Sequence, residues 1–314
     1  MEGPLKPELN IELSKQALIE KWKQGQVILA SSSKYRMDEL RKLGYDNVVS
    51  AAVPDAAEKS KHKEIIKIEG KRGHFFDKQK TEIPQRIAEA KIEYLLDCGN
   101  VSPDAMVVAL DTLPMTFRRI TDEEKREDPL LSWWPADHMS KPESLEDARA
   151  RIFELFSYIS NEYFIYEDYI KKQIANIPEE DPAWVRDMSD TGRLPKLVRI
   201  NTGIAIRFPG CSEIETASSY INLRLLKVYD LANKPDELRL LADKVIQIML
   251  DKGKSPTEIG GGIDYSDPDI RDLLHVDELS LYEETEEGVY RGFPSKTFEK
   301  FVSSVAGELI RGAI

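Results

Sequence analysis

The chain is expected to fold as an α/β protein with a twisted mixed central sheet flanked by helices, and three stretches carry that expectation. Val27-Ile28-Leu29-Ala30 is an apolar strand that runs through Ser31, Ser32 and Ser33 into an amphipathic helix, with Met37, Leu40 and Leu43 on one face and Gly44 ending it. Ala105–Leu110 is an almost wholly apolar run bounded by Pro103 and Asp111, as in a buried central strand. Between them, Ile83 to Leu96 has helical periodicity, with Ile87, Ala88, Ala90, Ile92 and Tyr94 facing inward and Lys91 beside them.

The remaining elements follow in order. Met1 to Gly25 reads as a Pro-bearing arm and a docking helix with Ile19 and Trp22 on its apolar stripe; residues 26–314 read as one domain. Asn47–Val53 is a second strand, followed by the acidic turn Pro54–Glu58 and a Lys- and His-rich insertion from Lys59 to Thr81. Pro114–Met139 has no clear period and reads as a loop. Trp133 and Trp134 there suit a hydrophobic plug better than a base-stacking platform. Ser144 to Ser157 is a helix capped by Ser144 with Asp147 three residues on. Ile165–Leu194 is a polar insertion and Val198–Phe208 a strand. Glu215–Ala232 and Asp236–Leu250 are expected to be helices flanking Pro235. Gly260–Gly262 is a turn, Leu279–Tyr282 a strand, Glu287–Tyr290 its hairpin return, and Ser295–Leu309 the last helix.

The 314 residues suffice for a core of ordinary size, and the net charge of -12 argues against a nucleic-acid or membrane-surface binder, since both need a basic face. Cys98 and Cys211 are too few for a disulfide framework and lack metal-ligand spacing, which points to a reducing compartment. No apolar run reaches the length of a membrane span and no secretory signal is seen, so the expectation is a soluble cytoplasmic protein.

Two places suggest chemistry. A strand, a small-residue turn and a helix start present unpaired N–H groups to an anion; Ser31, Ser32 and Ser33 add hydroxyls, and Arg36 adds a guanidinium suited to phosphate. The same serines could be plain caps and Arg36 a solvated side chain. Asp111 closes the apolar strand at its carboxyl end, where ligands sit in open α/β sheets.

Several of these pieces, in order, resemble the Maf family of nucleoside triphosphate pyrophosphatases, whose fold is related to the inosine triphosphate pyrophosphatases. A family pattern near A-S-x-S-P-R-R-x-E-L-L is matched by Ala30-Ser31-Ser32-Ser33-Lys34-Tyr35-Arg36-Met37-Asp38-Glu39-Leu40, and Glu58 matches its acidic turn. The pattern A-x-x-K-A is matched at Ala88–Ile92, G-A-D-T at Ala109-Leu110-Asp111-Thr112 and G-K-P at Ser140-Lys141-Pro142. T-G is matched at Thr202-Gly203 and V-G-L-P at Arg291-Gly292-Phe293-Pro294. The chain exceeds the family's usual length, and the surplus falls on the N-terminal arm and on insertions near 59–82, 116–138, 165–194 and 235–254. Lys34 stands where the family has proline, Tyr35 replaces its first arginine, and no glutamine follows Gly260–Asp264.

The resemblance implies two lobes with an active-site cleft between them and hydrolysis of a triphosphate between its α and β phosphates, with a divalent metal, Mg²⁺ or Mn²⁺. By the match, Arg36, Lys91 and Lys141 hold the phosphates, with Ser31, Ser33, Thr112 and Thr202 contributing to substrate binding. Asp111 binds the metal or accepts a proton from the attacking water, and Glu58 is the second acidic ligand. An all-oxygen donor set favours Mg²⁺ over zinc. Asp111 followed by Thr112 is similar to the branch acting on dTTP and UTP. A homodimer is also implied. The departures at Tyr35 and the absent glutamine motivate a second reading, a nucleotide-binding regulatory protein with weakened turnover.

Overall fold

The computed structural model describes residues 7–54, 56–58, 60–61, 64–65, 82–99, 101–119, 133–136, 141–160, 198–259, 262–279, 289 and 291–312. Most of the expected insertions at Lys59–Thr81 and Ile165–Leu194 lie outside them, as do Gly260, Gly261 and most of the hairpin return. The fold is mixed α/β. Its helices are α1 (Pro7–Gln24), α2 (Lys34–Lys42), α3 (Glu82–Asp97), α4 (Leu145–Ser160), α5 (Leu226–Tyr229), α6 (Pro235–Asp251), α7 (Pro268–Leu274) and α8 (Ser295–Gly312). The strands are β1 (Val27–Leu29), β2 (Val48–Ser50), β3 (Met106–Arg119), β4 (Trp133–Ala136), β5 (Val198–Arg207), β6 (Ile214–Leu225) and β7 (Val276–Leu279).

One mixed sheet runs β2-β1-β3-β5-β6-β7, with β4 added along the far end of β3. β1 is parallel to β2 and β3 (Val27 opposite Val48 and Met106), whereas β3, β5, β6 and β7 are mutually antiparallel. β1 is short: its last pair with β3 is Leu29 opposite Val108, and Ala30 N–H then donates to the Val108 carbonyl before the chain turns away. β3 continues for many residues beyond that point, and this leaves an open edge at the carboxyl end of β1.

Alternation along β3 and β5 assigns their side chains to two faces. Met106, Val108 and Leu110, with Ile204, Ile206 and Phe208, pack against Leu40 of α2, Phe298 and Val302 of α8 and Trp22 of α1. On the reverse face, Val107, Ala109 and Ala205 pack against Ala88 and Ile92 of α3. Farther along the first face a separate core forms from Val198, Ile200, Ile221, Leu223 and Leu225 under α4, α5, α6 and α7. The apolar row of β5 is therefore broken at one position, Thr202, which is paired with Thr112 on β3 and Ser219 on β6. That polar row marks the seam between two hydrophobic cores on one sheet.

Two expectations are corrected. Glu215–Ala232 is largely strand: β6 pairs residue for residue with β5 from Ile214 to Leu223, and only Leu226–Tyr229 is helical. The alternation of buried Ile221, Leu223 and Leu225, with a full partner strand alongside, overrides the helix-favouring Leu and Arg composition. The start of Pro114–Met139 is not a loop, because β3 runs to Arg119 on its ladder with β5, and residues 133–136 return as β4. Pro114 is tolerated because even-numbered residues of β3 point their backbone groups to the edge that β1 has left, where no N–H is required.

Candidate functional site

Asp111 and Thr112 are consecutive residues at the seam, so they face opposite sides of the sheet. Asp111 meets α3: its Oδ1 accepts from Lys91 Nζ at 2.7 Å, and the same ammonium lies 3.0 Å from Glu58 Oε1. Glu58 is brought over α3 by the helical residues 56–58, whose first turn closes through Glu58 N–H to the Pro54 carbonyl. Lys91 and Asp111 are both buried, which makes their pairing obligatory. α3 is seated by Gly203, the register partner of Asp111. A Cβ there would lie 2.2 Å from backbone atoms of Pro84 and Gln85, so only glycine lets the helix come this close.

Thr112 faces α2. Ser33 caps that helix by accepting from the Arg36 N–H, and Ser31 Oγ accepts from the Ser33 N–H, so the serines are first of all cap and turn residues. Their effect is to aim Arg36 across the end of β1. Its NH1 donates to the Leu110 carbonyl at 2.8 Å and to Ser31 Oγ at 3.4 Å, its NH2 to Thr112 Oγ1 at 3.2 Å, and its Nε to the Gly292 carbonyl at 2.9 Å. Burial lowers the Arg36 pKa from its ordinary value, opposed by the charges of Asp111 and Glu58.

The hydroxyls form a directed chain. Thr202 Oγ1 donates to the Val289 carbonyl at 2.8 Å, so its one proton is committed and the 2.9 Å contact with Thr112 must be donated by Thr112. Thr112 in turn accepts from Arg36. Val289 and Gly292 are thus held by their carbonyls, one by Thr202 and one by Arg36. The segment spans the seam: Val289 packs in one core and Phe293 in the other.

The structure joins Ser31, Ser33, Arg36, Glu58, Lys91, Asp111, Thr112 and Thr202 in one cluster through these contacts. Lys141 is exposed ahead of α4 and makes no hydrogen bond or ion pair with that cluster among the described residues; its neighbour Pro142 is buried against Gly262. Three participants were not among the expected site residues: Gly203 and Gly292, and the Leu110 carbonyl. The glycines carried a readable signal, since each stands where a backbone or side chain must approach closely. The carbonyl carried none.

Beside Glu58 and Lys91 a cavity of about 180 Å³ opens between residues 53–61 and α3, walled by Val53, Ala57, Ile87 and Tyr94. No three of His, Cys, Asp and Glu stand together as a ligand set among the described residues. Two carboxylates converging on one cation nevertheless fit Mg²⁺, which is commonly held by one or two carboxylates with substrate phosphates and water completing the shell. No helix among the described residues is long and apolar enough to cross a membrane. No family model matches the chain, and no curated protein matches it.

Proposed function

We propose that the protein is a Maf-like nucleoside triphosphate pyrophosphatase of the housecleaning type, cleaving the α–β anhydride of a pyrimidine or modified nucleoside triphosphate to the monophosphate and pyrophosphate. The observation that carries this reading is the buried Asp111–Lys91 pair with Glu58 on the same ammonium, inside β3 just beyond the carboxyl end of the short parallel strand β1. Support also comes from the residues matched to the family pattern from Ser31 to Gly292, most of which meet there.

In this reading, water adds to the α-phosphorus as the bridging Pα–O bond breaks, pyrophosphate leaves with the bridging oxygen and the bonding electrons, and Asp111 accepts the proton shed by the water. Lys91 exchanges a carboxylate contact for a phosphate oxygen as the polyanion enters, since positioning and charge neutralisation supply most of the catalysis in phosphoryl transfer. Mg²⁺ held by Glu58, and by Asp111 where it serves as ligand instead of base, would supply further neutralisation of the phosphate charge. In this reading the substrate enters by the cavity between residues 53–61 and α3, beside Glu58 and Lys91. Cytoplasmic residence and a homodimer belong to the same reading.

The test is pyrophosphate release from a panel of canonical and modified triphosphates with Mg²⁺ or Mn²⁺, in wild type and Asp111→Asn. The expected result is turnover that falls about 10²–10⁴-fold in the variant while the fold persists, the range for loss of a positioned acid–base group. A second reading has its own observation. Arg36 and Lys91 spend nearly all their donors inside the protein, which suits a nucleotide-binding regulator with little turnover. Triphosphate binding without release of pyrophosphate would favour it.

A further inference from the structure

The cavity beside Glu58 and Lys91 has two unlike ends. Ile87, Lys91 and Tyr94 stand at i, i+4 and i+7 on α3, one stripe of the helix, and all three line it. Ile87 and Lys91 are buried, whereas Glu93 and Asp97, which line it farther along the helix, are exposed. The inner end therefore carries a buried ammonium and the outer end two carboxylates. Lys61 also lines the cavity, but its ammonium is already 3.3 Å from Glu64 Oε2. A polyphosphate tail is drawn to Lys91 and repelled from the outer end, which orients a bound nucleotide with its tail inward.

Between these ends the walls suit a flat, uncharged ring. Val53 and Ala57 come from one side, Ile87, Ala90 and Tyr94 from α3. Tyr94 stands three residues beyond Lys91, about 4.5 Å farther along the helix axis at 1.5 Å per residue, on the side where a sugar leads from the phosphates to the base. The volume of about 180 Å³ is selective as well. A cavity of about 150 Å³ lined by apolar side chains takes up one benzene ring, so this one has room for a single six-membered ring and not for a fused purine. The phosphates need no share of it, because they take the place on Lys91 that a carboxylate gives up.

We infer that this cavity is the base pocket of the site, that it takes a single-ring base, and that Tyr94 determines specificity by stacking on that ring. The inference rests on the nucleotide reading above. It assigns base selection to the side chains of α3 and residues 53–57, which carry the choice in a chain where no glutamine follows Gly260–Asp264.

The experiment is calorimetric titration of the full-length protein with uridine monophosphate and with guanosine monophosphate, each with Mg²⁺, together with triphosphate kinetics, for wild type, Tyr94→Ala, Tyr94→Phe and Ala90→Leu. Wild type should bind the uridine nucleotide more tightly by about tenfold or more, because the fused ring overpacks the cavity. Tyr94→Ala should weaken uridine monophosphate by about tenfold or more, the loss of one base–aromatic stack, and narrow the gap between the two nucleotides. A purely structural role for Tyr94 would not move that ratio. Tyr94→Phe keeps the ring and should bind as wild type does. Ala90→Leu fills the cavity with little change in helix propensity and should abolish uridine monophosphate binding at unchanged Tm. Affinity within about twofold of wild type in Tyr94→Ala or in Ala90→Leu overturns the inference, the smallest loss expected of a stack being larger. Equal wild-type affinity for the two nucleotides, or none for either, overturns it too. Tyr94-dependent binding in a protein that cleaves no triphosphate supports the inference and sinks the hydrolase reading; cleavage of uridine triphosphate that both variants leave unchanged does the reverse.

Discussion

Arg36 and Lys91 reach the same atom, the Leu110 carbonyl oxygen, from opposite faces of the sheet, NH1 at 2.8 Å and Nζ at 3.4 Å. The meeting follows from the length of β1. That strand stops at Leu29, so the next carbonyl of β3 on its edge has no strand partner, and a buried carbonyl without one is costly. Two cations fill the slot. Each brings its own helix to the strand end, and Asp111 and Thr112, the next two residues, are fixed between them.

Removing one half of the buried ion pair should be far worse than removing both. Lys91→Met leaves Asp111 and Glu58 facing each other with no ammonium between them, and unfolding by denaturant should show a loss of about 3–5 kcal/mol. Lys91→Met with Asp111→Leu should recover more than half of that loss while remaining inactive. Equal stability of the single and double variants would mean that the pair contributes nothing specific to the core.

A Cβ at Gly203 has nowhere to go, because the atoms it meets belong to the backbone of Pro84 and Gln85. Gly203→Ala must lift α3 from the sheet, and overpacking of this kind costs about 3 kcal/mol or more. The melting temperature should fall sharply. Activity of the remaining folded protein should fall as well, since Lys91 rides on the displaced helix. A near-normal Tm would show that the helix start can slide without cost.

How much of this could be read from the chain depends on the element. Val27–Leu29, α2, α3 and α6 were legible because each couples a clean period to a cap or a glycine. β6 was not: its helix-like composition is overruled by ten register pairs with β5, and nothing within the stretch announces a partner strand. Asp111 was legible as the polar residue ending an apolar run. The internal role of Arg36 was hidden, because whether its donors are spent inside the protein depends on where β1 ends and where residues some 256 positions later return.

Gly292→Ala should separate function from stability in a way that Gly203→Ala does not. The residue has φ +79°, where an L side chain costs about 1–2 kcal/mol, and its neighbours are the tips of Arg36 and Thr112, which can retreat. A modest drop in Tm with a large loss of activity is expected. The hydroxyl chain from Arg36 to Thr202 would be broken at its first link. Wild-type turnover in a folded Gly292→Ala protein would show that the Arg36–Gly292 contact plays no part in activity.

Acid should expose a second ion network, remote from the site in sequence. Asp267 caps α7 by accepting from the Asp269 N–H, and its carboxylate is bonded by Lys252 and by Lys254, which also holds Asp264. Burial pushes the Asp267 pKa up, but the hydrogen bonds from the two lysines and from the Asp269 N–H outweigh it and bring the value down to about 2, against an ordinary 3.8. A pKa depressed in the folded state stabilises the protein at pH above the unfolded value and ceases to do so as pH falls through the folded one; the difference corresponds to about 2 kcal/mol. Asp267→Asn keeps a side-chain oxygen for the cap and removes the charge. Near neutral pH the variant should be less stable than wild type by about that amount, and the gap should close between roughly pH 4 and pH 2. A gap that stays constant across that window would show that the carboxylate acts as a cap alone and that its lysine partners add nothing to folding.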